Sequence, residues 1–238
     1  MKTIYDNLYS DSVREIRSGE YKIDTMMDSP DDDRRGITLL FRPSAEVRKK
    51  ISRILDTLRQ LEPNQYYYPE SDMHVTVLSI ISCYPGFHLS SLDVPAYIRI
   101  LQKALSGSKG FTLHFRGVTA SPSCIMIRGF PENNALNGIR NTIRSIFKTS
   151  SLENSIDKRY ELQTAHSTVL RFKERLSDIP KFLESLELYR DFDFGSCTVD
   201  SLEFVVNDWY LRERNTKKLF SFSLPFDKGP FYHTGRGI

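Results

Sequence analysis

Two short stretches of the sequence carry a histidine and a threonine two positions apart. They are HVTV at residues 74–77 and HSTV at residues 166–169. Because side chains alternate along a strand, each histidine shares a face with its threonine. A histidine–x–threonine–apolar match is expected roughly 0.1 times in a chain of this length, so two independent matches are about a one-in-a-hundred event.

Paired imidazoles with hydroxyl neighbours can perform acid–base chemistry at a phosphodiester. Histidine has an unperturbed pKa near 6.5, so at neutral pH one ring can be neutral and the other protonated. Of His74 and His166, one would be the general base on the attacking hydroxyl or water and the other the general acid on the leaving oxygen. Thr76 and Thr168 would donate hydrogen bonds to non-bridging phosphoryl oxygens. The residue types leave the two histidine roles open and predict a bell-shaped rate profile over about pH 6–8.

Other interpretations of the two motifs remain open at this point. A lone histidine on a strand is usually a structural group, and the matched second motif argues against that interpretation here. A module that captures a nucleotide or RNA end without turnover needs the same four residues. A metal site is disfavoured because no carboxylate or cysteine at ligand spacing accompanies the histidines. We expect no cofactor and no metal.

The elements around the motifs occur in the same order twice. Apolar periodicity and capping residues predict helix–strand–helix–strand–strand in each half of the chain. The predicted elements are a strand at 36–41, a helix at 43–63, a strand at 71–80, a helix at 93–106, strands at 111–118 and 124–130, a helix at 136–146, a strand at 164–172, a helix at 176–188, and strands at 199–206 and 218–224. His74 maps onto His166 and Met126 onto Ser221 at similar separations, which indicates an internal duplication.

A duplication of this kind predicts an α+β fold with two lobes related by a pseudo-twofold axis. Antiparallel sheets would line a central cleft, with the helices outside. We expect residues 1–35 to be an N-terminal extension and 227–238 a C-terminal tail. Between them, residues 36–226 would form one bilobal domain. Its lobes would be roughly 36–131 and 132–226, with exchange of the terminal strands left open.

Composition limits the class of protein without naming a function. The net charge of +3 tolerates a phosphate-bearing ligand but does not indicate binding of duplex DNA. Three scattered cysteines, Cys83, Cys124 and Cys197, are typical of reduced thiols. No apolar run approaches the roughly 20 residues that span a bilayer, and the N-terminus lacks the apolar core of a secretion signal. We expect a cytoplasmic monomer without membrane contact.

The two motifs resemble the signature of the two-histidine (2H) phosphoesterase superfamily, and within it the bacterial 2′-5′ RNA ligase-like proteins. The resemblance covers the order of elements from about Gly36 to Pro225, and it includes Arg171, five residues after the second histidine. It implies metal-independent hydrolysis or transesterification at 2′-phosphate linkages. Candidate substrates are 2′,3′-cyclic phosphates, 2′-5′-linked oligonucleotides, cyclic dinucleotides and ADP-ribose cyclic phosphate.

The sequence also departs from that family pattern. The first motif runs into SIISCYPGF instead of a short glycine-ended turn, and no proline precedes the second histidine. Residues 1–35 and the final segment DKGPFYHTGRGI have no recognised counterpart. These departures leave the four motif residues intact and leave the substrate open.

Two further residues are candidates for substrate binding. Arginine suits bidentate phosphate contacts, but strict alternation places Arg171 opposite His166, so a bulge or strand end is needed to bring it into the cleft. Tyr210 and its neighbour Trp209 could stack on a base or pack the edge of a lobe, and the same alternatives apply to the three tyrosines at 66–68.

Overall fold

Helices and antiparallel strands alternate through the computed structural model, which describes residues 4–226. The elements are α1 Ile4–Ser18, β1 Arg35–Phe41, α2 Ala45–Leu61, β2 Tyr66–Tyr67, β3 Val75–Tyr84, α3 Val94–Leu105, β4 Phe111–Ser121, β5 Cys124–Pro131, α4 Ala135–Lys148, β6 Ala165–Arg171, α5 Ile179–Glu187, β7 Asp193–Val199, β8 Ser201–Asp208 and β9 Lys217–Ser223. The predicted α+β class with antiparallel sheets is confirmed. The predicted tail at 227–238 lies outside the described residues.

The strands form two sheets, and each sheet takes strands from both halves of the chain. The first sheet has the order β3-β1-β8-β9 and the second the order β2-β6-β5-β4-β7, with antiparallel pairing throughout. The late strands β8 and β9 therefore complete the first sheet, and the early strands β4 and β5 belong to the second. Neither sheet is built from one contiguous stretch of sequence.

The order of strands in the sheets contradicts one of the predicted matches between the two halves of the chain. In the second sheet β5 lies beside β6, as β1 lies beside β3 in the first. Met126 on β5 thus takes the place of a β1 residue, and its predicted match to Ser221 on β9 is wrong. The true counterpart of β9 by position is β7, which the sequence did not predict. Gly195 interrupts the alternation of β7 with a φ of +96° beside a register shift.

Three of the four predicted helices begin at a residue whose side chain caps the first turn. Ser44, Asp93 and Asp178 each accept a hydrogen bond from a backbone N–H in the first turn of α2, α3 and α5. Helix α3 is followed by Gly107, whose φ of +79° suits the left-handed position after a helix end. Helices α1 and α2 pack on the second sheet, whereas α3 and α4 pack on each other and on the first.

Helix α1 is a finding that apolar periodicity did not predict. It packs against β4 and α5 through a face of buried residues at helical spacing, namely Tyr5, Tyr9, Ser12 and Ile16. Two tyrosines and a serine on that face hide the apolar signal. The hydroxyl of Ser12 donates to the carbonyl of Ala120, so even the polar member of the face is satisfied. None of the helices within residues 4–226 has the length and apolar character needed to cross a membrane.

Candidate active site

The two motif strands lie on edges of the two sheets that face each other. Strand β3 is the edge of the first sheet, and β6 is covered in the second only by the two-residue strand β2. The two strands contact each other. Between them lies a cavity of about 260 Å³ whose wall includes His74, Thr76, His166 and Thr168. The tertiary structure therefore brings all four motif residues to one cavity.

Arg171 reaches the same cavity because β6 contains a bulge. Met126 pairs with Thr168 and Ile125 with Leu170, which leaves Val169 as an extra residue on β6. After this bulge, Arg171 returns to the face of His166 and Thr168 and lines the cavity. The bulge supplies the irregularity that strict alternation required.

The ring of His74 is oriented by a backbone carbonyl. His74 lies just before β3, is 8% exposed, and its Nδ1 is 2.7 Å from the carbonyl oxygen of Asp72. A carbonyl oxygen only accepts hydrogen bonds, so Nδ1 carries the proton and donates. The other nitrogen, Nε2, is then the one available to a ligand.

The ring of His166 has a different partner. Its Nδ1 is 2.8 Å from the hydroxyl oxygen of Thr164, the residue two positions earlier on the chain. A hydroxyl can donate or accept, so this contact orients the ring in either tautomer. The two histidines thus occupy equivalent positions in the repeat, but their Nδ1 atoms have different hydrogen-bond partners.

Burial favours the neutral form of both rings at pH 7. Burial lowers the pKa of His74 to about 4, against the opposing effect of its hydrogen bond to Asp72. Burial also lowers the pKa of His166 to about 4, and the charges of His74, Arg140 and Arg171 act in the same direction. Desolvation disfavours the imidazolium of both rings, which argues against the expectation of one protonated ring at neutral pH before an anion binds.

A buried arginine from α4 joins the two motif strands. Arg140 is 1% exposed and donates from Nε to the carbonyl of Val77 and from Nη2 to the carbonyls of Thr76 and Thr164. Thr164 in turn holds His166. Burial lowers the pKa of Arg140 to about 10, which still leaves it charged at pH 7. The sequence does not single out this residue, because it lies on an otherwise apolar helix face with no motif around it.

Comparison with solved structures matches this architecture, whereas no protein-family model and no curated protein sequence matches the chain. The structure of TT0787 from Thermus thermophilus aligns with a TM-score of 0.57 and 16% identity, covering 81% of this chain and 99% of that one. Escherichia coli LigT in complex with 3′-AMP aligns with a TM-score of 0.55 and 15% identity over the same shares. A conserved protein of unknown function, ATU0111 from Agrobacterium tumefaciens, aligns at 0.55 and 13%, covering 87% and 97%.

The protein has a LigT-like fold. At the level of fold, the resemblance to the 2H phosphoesterases read from the two motifs is therefore confirmed.

One predicted binding residue does not reach the cavity of this LigT-like fold. Tyr210 is 1% exposed and lies behind the wall, with its hydroxyl donating to Asp24 at 2.9 Å. Its neighbour Trp209 does line the cavity, with the guanidinium carbons of Arg34 and Arg159 at 4.8 and 4.7 Å from the centre of its ring. Direct substrate contact by Tyr210 is therefore not supported.

The aromatic residues at the cleft differ from those that the sequence singled out. Tyr67 and Tyr68 are buried, in agreement with the packing alternative. Tyr160 is 68% exposed and lines the cavity, and it lies between α4 and β6 in a segment without regular structure. No periodic pattern marks such a segment in the sequence.

Within the described part of the chain, no three histidine, cysteine, aspartate or glutamate side chains come together as a group that could hold a metal ion. The cysteines at 83, 124 and 197 are unpaired and buried.

Proposed function

We propose that the protein is a metal-independent phosphodiesterase or cyclic phosphodiesterase that acts on 2′-phosphate linkages of RNA ends or nucleotides. The observation that carries this proposal is the single cavity lined by His74, Thr76, His166 and Thr168. An acid, a base and two hydroxyl donors around one phosphoryl group are the set that cleavage of a phosphodiester requires. The fold supports the proposal, since LigT has been solved with 3′-AMP, phosphate and ATP.

The environments of the two rings favour one assignment of the proton carriers. The carbonyl and the charge of Asp72 favour the protonated form of His74, although Arg42 and Arg171 oppose it. Around His166 there is no such favourable contribution, since the charges of His74, Arg140 and Arg171 all lower its pKa. The negative charge of a bound phosphodiester would raise the pKa of the ring that can best hold a proton. We assign His74 as the general acid and His166 as the general base, with Nδ1 of His166 donating to Thr164.

Arg171 has the position expected of a phosphate-binding residue. It lines the cavity on the face of His166 and Thr168, and its side chain is 16% exposed. A guanidinium can pair with two non-bridging oxygens at once and would offset their charge. The proposal gives this role to Arg171 and none to Tyr210.

We further propose that residues 36–226 act as one catalytic domain. Each sheet takes strands from both halves, so neither half carries a complete sheet of its own. We propose that the protein acts as a monomer in the cytoplasm.

The first test is turnover of 2′,3′-cyclic nucleotides in the presence of a strong chelator. We expect the wild-type protein to hydrolyse them, and His74→Ala or His166→Ala to lower kcat by about 10²–10⁴-fold while the variants still fold. Lys148→Gln, an exposed change at the end of α4, is the matched control. Binding of the nucleotide without hydrolysis would instead favour a binding module.

The second measurement shows which histidine is the general acid and which is the general base. With a p-nitrophenyl phosphodiester the leaving group needs no proton, so His74→Ala should lose much less activity than it loses with a 2′,3′-cyclic nucleotide. His166→Ala should lose a similar factor with both substrates, since the attacking water needs its base in either case. The reverse pattern would exchange the two roles.

The pH dependence of kcat/KM follows from the rings of the free protein. Because the pKa of both His74 and His166 is about 4, the fraction of molecules with one protonated ring falls above that value. We expect kcat/KM to fall about tenfold per pH unit between about pH 5 and 8, so the bell-shaped profile expected over about pH 6–8 from unperturbed rings is replaced by one with its maximum at lower pH. A kcat/KM that is flat over this range would contradict acid–base catalysis by the two histidines.

A further inference from the structure

Arg171 is held by residues from three separate parts of the chain. Its Nε donates to the hydroxyl of Tyr68 at 3.0 Å, and its guanidinium carbon lies 5.5 Å from the centre of the Tyr210 ring. A carboxylate oxygen of Asp24 is 3.9 Å from Nη1. Among the described residues, the hydrogen bonds of Arg171 involve Nε alone, so the terminal nitrogens keep their donors.

Asp24 is itself fixed in place. Its Oδ1 accepts from the hydroxyl of Tyr210 at 2.9 Å, and its backbone N–H donates to the carbonyl of Phe172 at 2.8 Å. Phe172 directly follows Arg171, so the segment before β1 runs alongside the end of β6. The side chains of Asp24 and Arg171 are 15% and 16% exposed, which reduces screening of their interaction by water.

We propose that Asp24, from the segment before the duplicated core, is a positioning residue for Arg171 and thereby for the substrate phosphate. This inference rests on the proposed function. A carboxylate that approaches one side of a guanidinium without forming a bidentate pair restrains the arginine and leaves its terminal nitrogens for another anion. The N-terminal segment is then part of the phosphate site, and the substrate it helps to hold is an anionic phosphate ester.

Charge alone and positioning make opposite predictions for Asp24→Asn. If Asp24 only contributed a negative charge near the cleft, its neutralisation would tighten the binding of an anion. If Asp24 positions Arg171, the same change frees the guanidinium and weakens binding. The sign of the change therefore separates the two effects.

The experiment measures binding of inorganic phosphate to the full chain by calorimetry, together with kcat and KM for a 2′,3′-cyclic nucleotide. We expect Asp24→Asn to weaken phosphate binding and raise KM by about 3–10-fold, the scale of a restrained charge contact. Asp28→Asn is the matched control, because Asp28 lies in the same segment and pairs with the partly exposed Lys173. It should bind phosphate as the wild type does.

A double-mutant cycle shows whether Asp24 acts through Arg171. We expect Arg171→Ala to weaken phosphate binding by about tenfold or more, and Asp24→Asn to add little in that background. Unchanged or tighter binding by Asp24→Asn in the wild-type background, or an equal loss with Arg171 absent, would overturn the inference. If Arg171→Ala also leaves phosphate binding unchanged, Arg171 does not bind the phosphate and the inference fails. If the wild-type protein does not turn over the cyclic nucleotide, the proposed function itself has failed.

A second, milder variant tests the same inference in case Asp24→Asn does not fold. Tyr210→Phe keeps the ring beside Arg171 and removes only the hydroxyl, which donates to Asp24 and accepts from Arg34. We expect a smaller loss of phosphate affinity in the same direction, with a thermal unfolding midpoint close to that of the wild type. If Tyr210→Phe and Asp24→Asn both fold and both bind phosphate normally, Asp24 has no positioning role.

Discussion

Ser167 and Thr168 are neighbouring hydroxyl residues that β6 turns to opposite faces. Thr168 lines the cavity, whereas Ser167 is fully buried and its hydroxyl has no hydrogen-bond partner among the described residues. The repeat predicts a function only for the residue that shares a face with His166. Alternation along β6 thus places the hydroxyl of Thr168 in the candidate site and that of Ser167 in the core, where its lack of a partner destabilises the fold.

The prediction at this scale compares Thr168→Val with Ser167→Ala. Loss of a donor to the transition state should lower kcat of Thr168→Val by about 10²-fold. Ser167→Ala should keep its activity and gain up to about 1 kcal/mol in the free energy of unfolding, because an unpaired buried hydroxyl is removed. Both quantities are measured on purified variants, and equal activity losses would argue against the role of Thr168.

At the scale of elements, α4 connects the two halves of the site. Arg140 places its guanidinium between the carbonyls of Thr76, Val77 and Thr164. Since hydrogen bonds to a charged group each contribute about 1.5–3 kcal/mol, this one side chain restrains the distance between the motif strands. The positions of the two histidines thus depend on a residue that hydrogen-bonds to the backbone of their strands.

We predict that Arg140→Gln lowers the free energy of unfolding by about 3 kcal/mol and also lowers kcat. Chemical denaturation and steady-state kinetics test the two effects together. Lys148→Gln on the same helix is exposed and should change neither. A variant that loses stability but keeps kcat would show that Arg140 supports the fold without setting the geometry of the site.

At the scale of the whole molecule, the buried histidines couple stability to pH. The pKa of each ring is about 4 in the folded protein and near 6.5 in the unfolded chain. The unfolded state therefore binds more protons between these values, and stability is lost as the pH falls through this window. The sign is opposite to that of a histidine stabilised by a carboxylate.

We expect each of the two histidines to cost about 2 kcal/mol of stability between pH 7 and pH 5. Urea denaturation at the two pH values measures this loss. A double variant with His74→Gln and His166→Gln should lose about 4 kcal/mol less than the wild type over the same interval. An identical pH dependence in both proteins would mean that the rings are not buried as neutral groups.

The motif pair and most of the elements could be predicted because they depend on local spacing. The histidine–x–threonine motif on two strands, the helix starts at Ser44 and Asp93, and the apolar helix faces are all short-range patterns. Helix α1 was not predicted because its buried face contains tyrosines instead of aliphatic residues. Strand β7 was not predicted because Gly195 breaks the alternation of its side chains. Prediction from short-range patterns fails where an element departs from the usual apolar periodicity.

By itself, the sequence determined that two histidine–threonine pairs lie on equivalent strands of an α+β protein. Only the tertiary structure decided that strands are exchanged between the sheets, that a bulge brings Arg171 to the cavity, and that Trp209 rather than Tyr210 lines it. It also decided that both rings favour the neutral form, because burial is a property of the packed fold. Spacing along the chain sets which face a side chain occupies, whereas pairing and desolvation depend on residues that are distant in sequence.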